Sequence, residues 1–168
     1  MADVWVTNGT TSPGPVVNSL NAACEQGYVP DRLHLLVNPK VADQIEPTES
    51  SAESIVTAYG SDGIDVRVTN LQEETDFGGI VAHYKDAIKG ARSRDDSVAV
   101  DVTPGRKFMS AIAFQAGIQF DADHVYYFHR KGGVYQGEFY PEIPRTATDH
   151  TTTSPTKTTT SQRPSPAD

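Results

Sequence analysis

Short β-rich runs and longer amphipathic segments alternate along the chain as far as residue 119. The short runs are filled by apolar and β-branched residues, whereas the segments between them carry apolar residues at helical spacing. This alternation is typical of a Rossmann-like α/β fold, a mostly parallel sheet with helices on both faces. The predicted strands are 4–7, 33–38, 64–70 and 98–102, and the predicted helices are 15–26, 50–59, 77–91 and 105–119.

A different pattern begins after Asp123. Residues 124–129 form another apolar and aromatic run, Gly132 and Gly133 supply a turn, and 134–140 is a second run. Two such runs around a Gly-Gly turn predict a β-hairpin. We expect this C-terminal hairpin to close one edge of the sheet.

Thr, Ser and Pro dominate residues 146–168, and the periodicity ends there. Such a segment buries too little apolar surface to offset the entropy of ordering it. The sequence therefore predicts one domain over 1–145 and a disordered tail over 146–168. Deletion of that tail is expected to leave the function intact.

The predicted helix 105–119 has an unusual composition. From Phe108 to Ile118 it carries no charged residue, and only Ser110 and Gln115 are strongly polar. A helix that covers one face of a sheet normally keeps a polar outer side. This helix is therefore either buried on all sides or docks onto another subunit. A domain of this size has too few layers to bury every side, which favours a dimer interface.

The amino-acid composition disfavours some classes of binding partner. The 168 residues contain 14 Lys and Arg against 22 Asp and Glu, a net charge of −8 that repels a long nucleic acid over most of the surface. No basic leader or long apolar run is visible, so we expect a cytoplasmic protein without a membrane segment. The single cysteine, Cys24, falls in the first helix and is expected to be a small buried apolar residue.

Two loops of the chain repeat one design. Ser12-Pro13-Gly14 follows the first strand, and Thr103-Pro104-Gly105 follows the fourth. Ser or Thr is expected to cap the next helix, Pro suits its first turn, and Gly allows a ligand to approach the backbone. In a doubly wound sheet the first and fourth strands are neighbours at the switch point, so both loops open onto one crevice. Arg106 and Lys107 add the charges that suit phosphate groups.

The second loop resembles a motif of the CRISPR-associated Rossmann fold (CARF) domains, which bind cyclic oligoadenylates. That motif runs Asp-x-Thr-Gly-Gly-x-Lys after the fourth strand, and Pro104 here replaces its first Gly. The residues that match it are Asp101, Thr103, Gly105 and Lys107. A looser match to the family's Thr-, Ser- and Gly-rich first loop is formed by Thr7, Asn8, Gly9, Thr10, Thr11 and Ser12.

This resemblance implies a homodimer that binds a ring of linked adenylates, tetra- or hexa-adenylate, at a site shared by the two copies. The ligand-binding residues would be Asn8, Gly9, Thr10, Thr11, Asp101, Thr103, Pro104 and Gly105. The catalytic residues of a ring nuclease would be Lys107 and Arg106, which stabilise charge, and Ser12, which donates a hydrogen bond. Such relatives need neither a metal nor a cofactor, because the ribose 2′-hydroxyl attacks its own phosphodiester.

We expect a sensor domain without an effector module, and ring opening is the favoured activity. No general base is evident in the sequence, so turnover should be slow. The alternative is a non-enzymatic sensor, or a regulatory module that acts through a partner protein. A third hypothesis is a Rossmann-type binder of another nucleotide.

Other chemistries fit the sequence less well. Neither loop has the glycine spacing of a dinucleotide-binding fold or the lysine pattern of a P-loop. The five histidines show no metal-ligand spacing with Cys or carboxylates, so no metal site is predicted.

Overall fold

The computed structural model describes residues 1–155. Strands and helices alternate over most of this length, as the sequence predicts. The strands are β1 (Asp3–Asn8), β2 (Arg32–Val37), β3 (Asp65–Asn70), β4 (Ser97–Asp101), β5 (His124–Arg130) and β6 (Thr148–Thr153). The α-helices are α1 (Gly14–Glu25), α2 (Ile45–Ala58), α3 (Phe77–Arg92) and α4 (Lys107–Gln119).

The six strands form one sheet in the order β3-β2-β1-β4-β5-β6. Every neighbouring pair is parallel except β5 and β6, which are antiparallel. The order reverses between β1 and β4, so their carboxyl ends flank the switch point at which such sheets bind ligands. The Rossmann-like fold and the adjacency of the first and fourth strands are both confirmed.

Alternate residues of the central strands face opposite layers, which is the period-two geometry of a strand. Val4 and Val6 point into a cluster with Ile80 and Tyr84 of α3 and with residues of α4. Trp5, between the two valines, points into the opposite cluster, where α1 and α2 pack. Both faces of the sheet are therefore covered by helices, as predicted.

A hairpin is present at the sheet edge, as predicted, but the prediction of its second strand is wrong. Thr148–Thr153 pairs with β5, whereas residues 134–140 form no strand. Tyr140 instead packs against α1: its backbone N–H donates to Asn18 Oδ1 at 2.8 Å, and its hydroxyl donates to Glu25. These contacts hold the β5–β6 connection over the α1 layer, so the next residues available for the edge are 148–153.

The tail predicted for residues 146–168 is therefore ordered in its first part. β6 forms six residue pairs with β5, from Thr148 against Arg130 to Thr153 against Val125. A deletion that begins at residue 146 would remove this strand and expose the edge of β5, so it is not the neutral truncation that the sequence suggested. The remainder of the predicted tail, 156–168, lies outside the described residues.

Within residues 1–155, none of the helices has both the length and the apolar character required to cross a membrane.

Candidate functional site

The crevice lies at the carboxyl ends of the parallel strands, where the loop after β1 meets the loop after β4. It encloses a cavity of about 380 Å³. Both predicted loops contribute to its wall, as do the segments that follow β2 and β3. The lining residues are Gly9, Thr10, Thr11, Ser12, Pro15, Asn38, Lys40, Val41, Glu74, Thr103, Pro104, Gly105, Arg106 and Met109.

Asp101 anchors the second loop from below. Its carboxylate is fully buried and accepts hydrogen bonds from the Thr7 hydroxyl (3.2 Å), the Ser19 hydroxyl (3.0 Å) and the Thr103 backbone N–H (2.9 Å). The Thr103 hydroxyl in turn accepts from the Phe128 N–H at 2.8 Å. The network ties the loop to β1, α1 and β5. Burial raises the pKa of Asp101 to about 6, against the opposing effect of these donors.

The first loop is held by short backbone contacts. Gly9 donates its N–H to the Leu36 carbonyl at 2.7 Å, and a Cβ at Gly9 would lie 3.2 Å from that oxygen. Asn8 is fully buried and donates through Nδ2 to the Pro104 carbonyl at 3.4 Å, which links the two loops. Asn8 and Asp101 thus lie beneath the crevice and support it, whereas Thr10, Thr11 and Ser12 line its wall.

Ser12 and Thr103 do not cap the helices, contrary to the sequence prediction. Pro13 occupies the N-cap of α1 and Arg106 that of α4, and neither helix has a side-chain cap hydrogen bond. Helix α4 begins at Lys107, two residues later than predicted, because Gly105 takes a φ of +97° that a helix cannot contain. The uncapped start of α4 carries partial positive charge toward the crevice.

The two cationic residues of the second loop, Arg106 and Lys107, take different positions relative to the crevice. Arg106 lines the cavity and forms an ion pair with Glu74. The same carboxylate accepts from Lys40 Nζ at 2.8 Å. Lys107, the first residue of α4, is exposed at the rim and lines neither this cavity nor its neighbour. A single copy of the chain therefore brings Arg106 to the crevice and leaves Lys107 beside it.

A second cavity of about 590 Å³ adjoins the first and shares Ser12, Pro15 and Thr103 with it. Its outer wall comprises the end of β5 and the connection that follows. Tyr127 and His129 are stacked there, with ring centroids 6.1 Å apart. The connection reaches this cavity because it folds back over α1.

Lys40 and Glu74 are not among the predicted site residues, because neither belongs to the two repeated loops. One signal could have found them. Both residues follow strands of the parallel sheet, β2 and β3, and all parallel strands end at the same edge.

Neither Cys24 nor the possible metal ligands among residues 1–155 form a reactive site. Cys24 is buried, and burial raises the pKa of its thiol to about 12, so it acts as the predicted apolar residue. Among residues 1–155, no three His, Cys, Asp or Glu side chains come together in a way that could hold a metal ion.

Comparison with protein-family models gives no match, and comparison with curated proteins gives none either. Comparison with solved structures does give matches. Can2 from Sulfobacillus thermosulfidooxidans, in complex with cyclic tetra-adenylate, is 14% identical, with a TM-score of 0.52 over 74% of this chain and 31% of its own. Enterococcus italicus Csm6, bound to cyclic hexa-2′-fluoro-hexa-dAMP, is 14% identical, with a TM-score of 0.56 over 80% of this chain and 34% of its own.

A third match is a type III CRISPR defence DNA nuclease activated by cyclic oligoadenylate, at 14% identity and a TM-score of 0.56. The match covers 78% of this chain and 19% of that protein. The chain shares its Rossmann-like fold with these three proteins. It spans about a third or less of the length of each of them.

Proposed function

We propose that the crevice binds a cyclic oligoadenylate, tetra- or hexa-adenylate, between two copies of the chain and opens its ring. The observation that carries this proposal is the meeting of two polar loops at the switch point, beside Arg106 and the uncapped start of α4. Phosphate groups suit both a guanidinium and a helix N-terminus. The same fold occurs in proteins solved with cyclic oligoadenylates.

The size of the crevice supports a shared site. Its volume of about 380 Å³ lies near the lower end of the range for small-molecule pockets, ~300–1,000 Å³. A ring of four or six nucleotides exceeds one such cavity. Two crevices placed around a twofold axis would together accommodate it, and two copies of Lys107 at the rims would then face the phosphates.

The outer face of α4 is the surface that would form this dimer. Phe114 and Ile118 are each 45% exposed on α4, and the neighbouring α3 exposes Val81 and Phe77, whose ring packs against Phe108 of α4. The buried side of α4, with Ala113 among others, packs on the sheet. An uncharged helix with exposed large apolar residues fits an interface between subunits.

In the proposed reaction, the ribose 2′-oxygen attacks the adjacent phosphorus while the bond from phosphorus to the 5′-oxygen breaks. The 2′-hydroxyl gives its proton to water and the departing 5′-oxygen takes one, which leaves a linear product ending in a 2′,3′-cyclic phosphate. Arg106 and Lys107 would stabilise the charge that grows on the phosphoryl oxygens, and Ser12 would hold the ligand.

Incubation of the protein with each ring in EDTA, followed by mass spectrometry, tests the proposal. We expect linear products with a 2′,3′-cyclic phosphate end. An intact ring retained by the protein would instead support the alternative of a non-enzymatic sensor. Absence of binding to either ring would refute the assignment to cyclic oligoadenylates.

Disruption of the α4 face should separate the two copies. We expect Phe114→Glu and Ile118→Glu to shift the protein from dimer to monomer in sedimentation velocity, because each buries a charge in the interface. Val134→Glu is the matched control, since Val134 is 85% exposed and lies on the β5–β6 connection. If both α4 variants sediment like the wild type, α4 is not the interface.

A further inference from the structure

One carboxylate in the crevice holds two cations from separate loops. Glu74 Oε2 accepts from Lys40 Nζ at 2.8 Å, and Glu74 Oε1 is paired with Arg106 Nε. The Glu74 side chain is only 14% exposed, against 67% for Lys40 and 64% for Arg106. The carboxylate therefore lies inside the wall, and the cations reach it from the open side.

The three residues come from three different segments of the chain. Lys40 follows β2, Glu74 lies between β3 and α3, and Arg106 follows β4. Exposed ion pairs between long side chains contribute little to stability, because they are screened and cost side-chain entropy. The arrangement thus has little value as a support for the fold, yet it places an anion inside the candidate ligand cavity.

A phosphodiester group resembles a carboxylate in its charged oxygens. Each presents two oxygens that share a negative charge, and Arg and Lys bind both groups through the same donors. The position of the Glu74 carboxylate therefore marks a place in the crevice where an anion can contact both cations at once.

We propose that Lys40 and Arg106 form a phosphodiester subsite whose resting occupant is the Glu74 carboxylate. This inference rests on the proposed function for the identity of the ligand. A phosphate group of the ring displaces Glu74 from the two cations and takes their donors.

Because Glu74 competes with other anions for Lys40 and Arg106, it affects which anions bind at the subsite. It lowers the affinity for every anion at this subsite, because each must displace the same carboxylate. Free phosphate has no other contacts and is excluded, whereas a ring that also engages the two loops keeps useful affinity. Glu74 is then a specificity-determining residue of the crevice.

Calorimetric titration of Glu74→Gln tests the subsite, with inorganic pyrophosphate and the two cyclic oligoadenylates as probes. We expect the variant to bind pyrophosphate and the ring about tenfold more tightly than the wild type, because a neighbouring negative charge is removed. Glu73→Gln is the matched control: it makes the same charge change on an exposed neighbour, and we expect less than about a twofold effect.

Addition of Lys40→Ala to both proteins completes a double-mutant cycle. The gain from Glu74→Gln should shrink in that background, since one of the two freed donors is gone. Binding of pyrophosphate that is unchanged or weaker in Glu74→Gln would overturn the subsite. If no protein binds a ring but Glu74→Gln still binds pyrophosphate more tightly, the subsite stands and the proposed ligand is wrong. If the wild type binds a ring and Glu74→Gln changes neither affinity, the ligand stands and the subsite fails.

Discussion

The Lys107→Ala variant should open a cyclic oligoadenylate at least about a hundredfold more slowly than the wild type. Lys107 begins α4 and is exposed beside the crevice, and under the proposed function its long side chain contacts a ring held between two copies. Negative charge on the phosphoryl oxygens grows as the 2′-oxygen attacks, so a cation aimed there stabilises the transition state more than the bound ring. Single-turnover rates in EDTA, with products separated by mass, measure the effect.

Binding should change much less than the rate. We expect the Kd for the ring to rise by about tenfold, the loss of one charge-assisted contact. Lys107→Arg keeps the charge and should recover part of the rate. Lys85→Ala is the matched control, because Lys85 is an exposed lysine on α3. A Lys107→Ala variant that cleaves at the wild-type rate would remove Lys107 from the catalytic group.

The order of strands and helices could be predicted from the local pattern of apolar and polar residues. Burial in the sheet or against it gives the apolar residues of each segment the spacing of a strand or of a helix. The crevice could also be predicted. Once the first and fourth strands are neighbours, Ser12 and Thr103 must lie close together, and both line the cavity.

Pairing between distant segments was not predictable in the same way. Thr148–Thr153 has no apolar residue, so its sequence resembles a tail, although threonine is favoured in strands. Its place on the edge of β5 depends on Tyr140 and Arg145, which hold the connection against Glu25 of α1. The pairing of Glu74 with Lys40 and Arg106 likewise exists only after three loops have met.

The largest effect on stability should come from Asp101→Ala. This change leaves the Thr103 N–H and the hydroxyls of Thr7 and Ser19 without their buried acceptor. Each unsatisfied buried donor costs roughly 1–3 kcal/mol, and water entering the space recovers part of that, so we expect a loss of about 3 kcal/mol. Urea unfolding at pH 7, followed by circular dichroism, gives the free energy of unfolding.

Asp101→Asn separates the hydrogen bonds from the charge. The amide keeps the shape and one acceptor oxygen, so we expect a change below about 1 kcal/mol at pH 7. The pKa of Asp101 is about 6 in the folded protein, above its ordinary value of 3.8, so the folded state holds the proton more tightly. The stability that this proton provides is complete below about pH 4 and is lost as the pH rises to about 6.

The difference in unfolding free energy between wild type and Asp101→Asn should therefore change with pH. Across that interval the wild type should lose up to about 3 kcal/mol relative to the variant, at 1.36 kcal/mol per pKa unit. Contributions of the other titrating groups cancel in the comparison, because both proteins contain them. A constant difference from pH 4 to pH 7 would mean that the three donors hold Asp101 ionised throughout. The loop would then be anchored by a buried charge and not by a carboxyl group that gains a proton in acid.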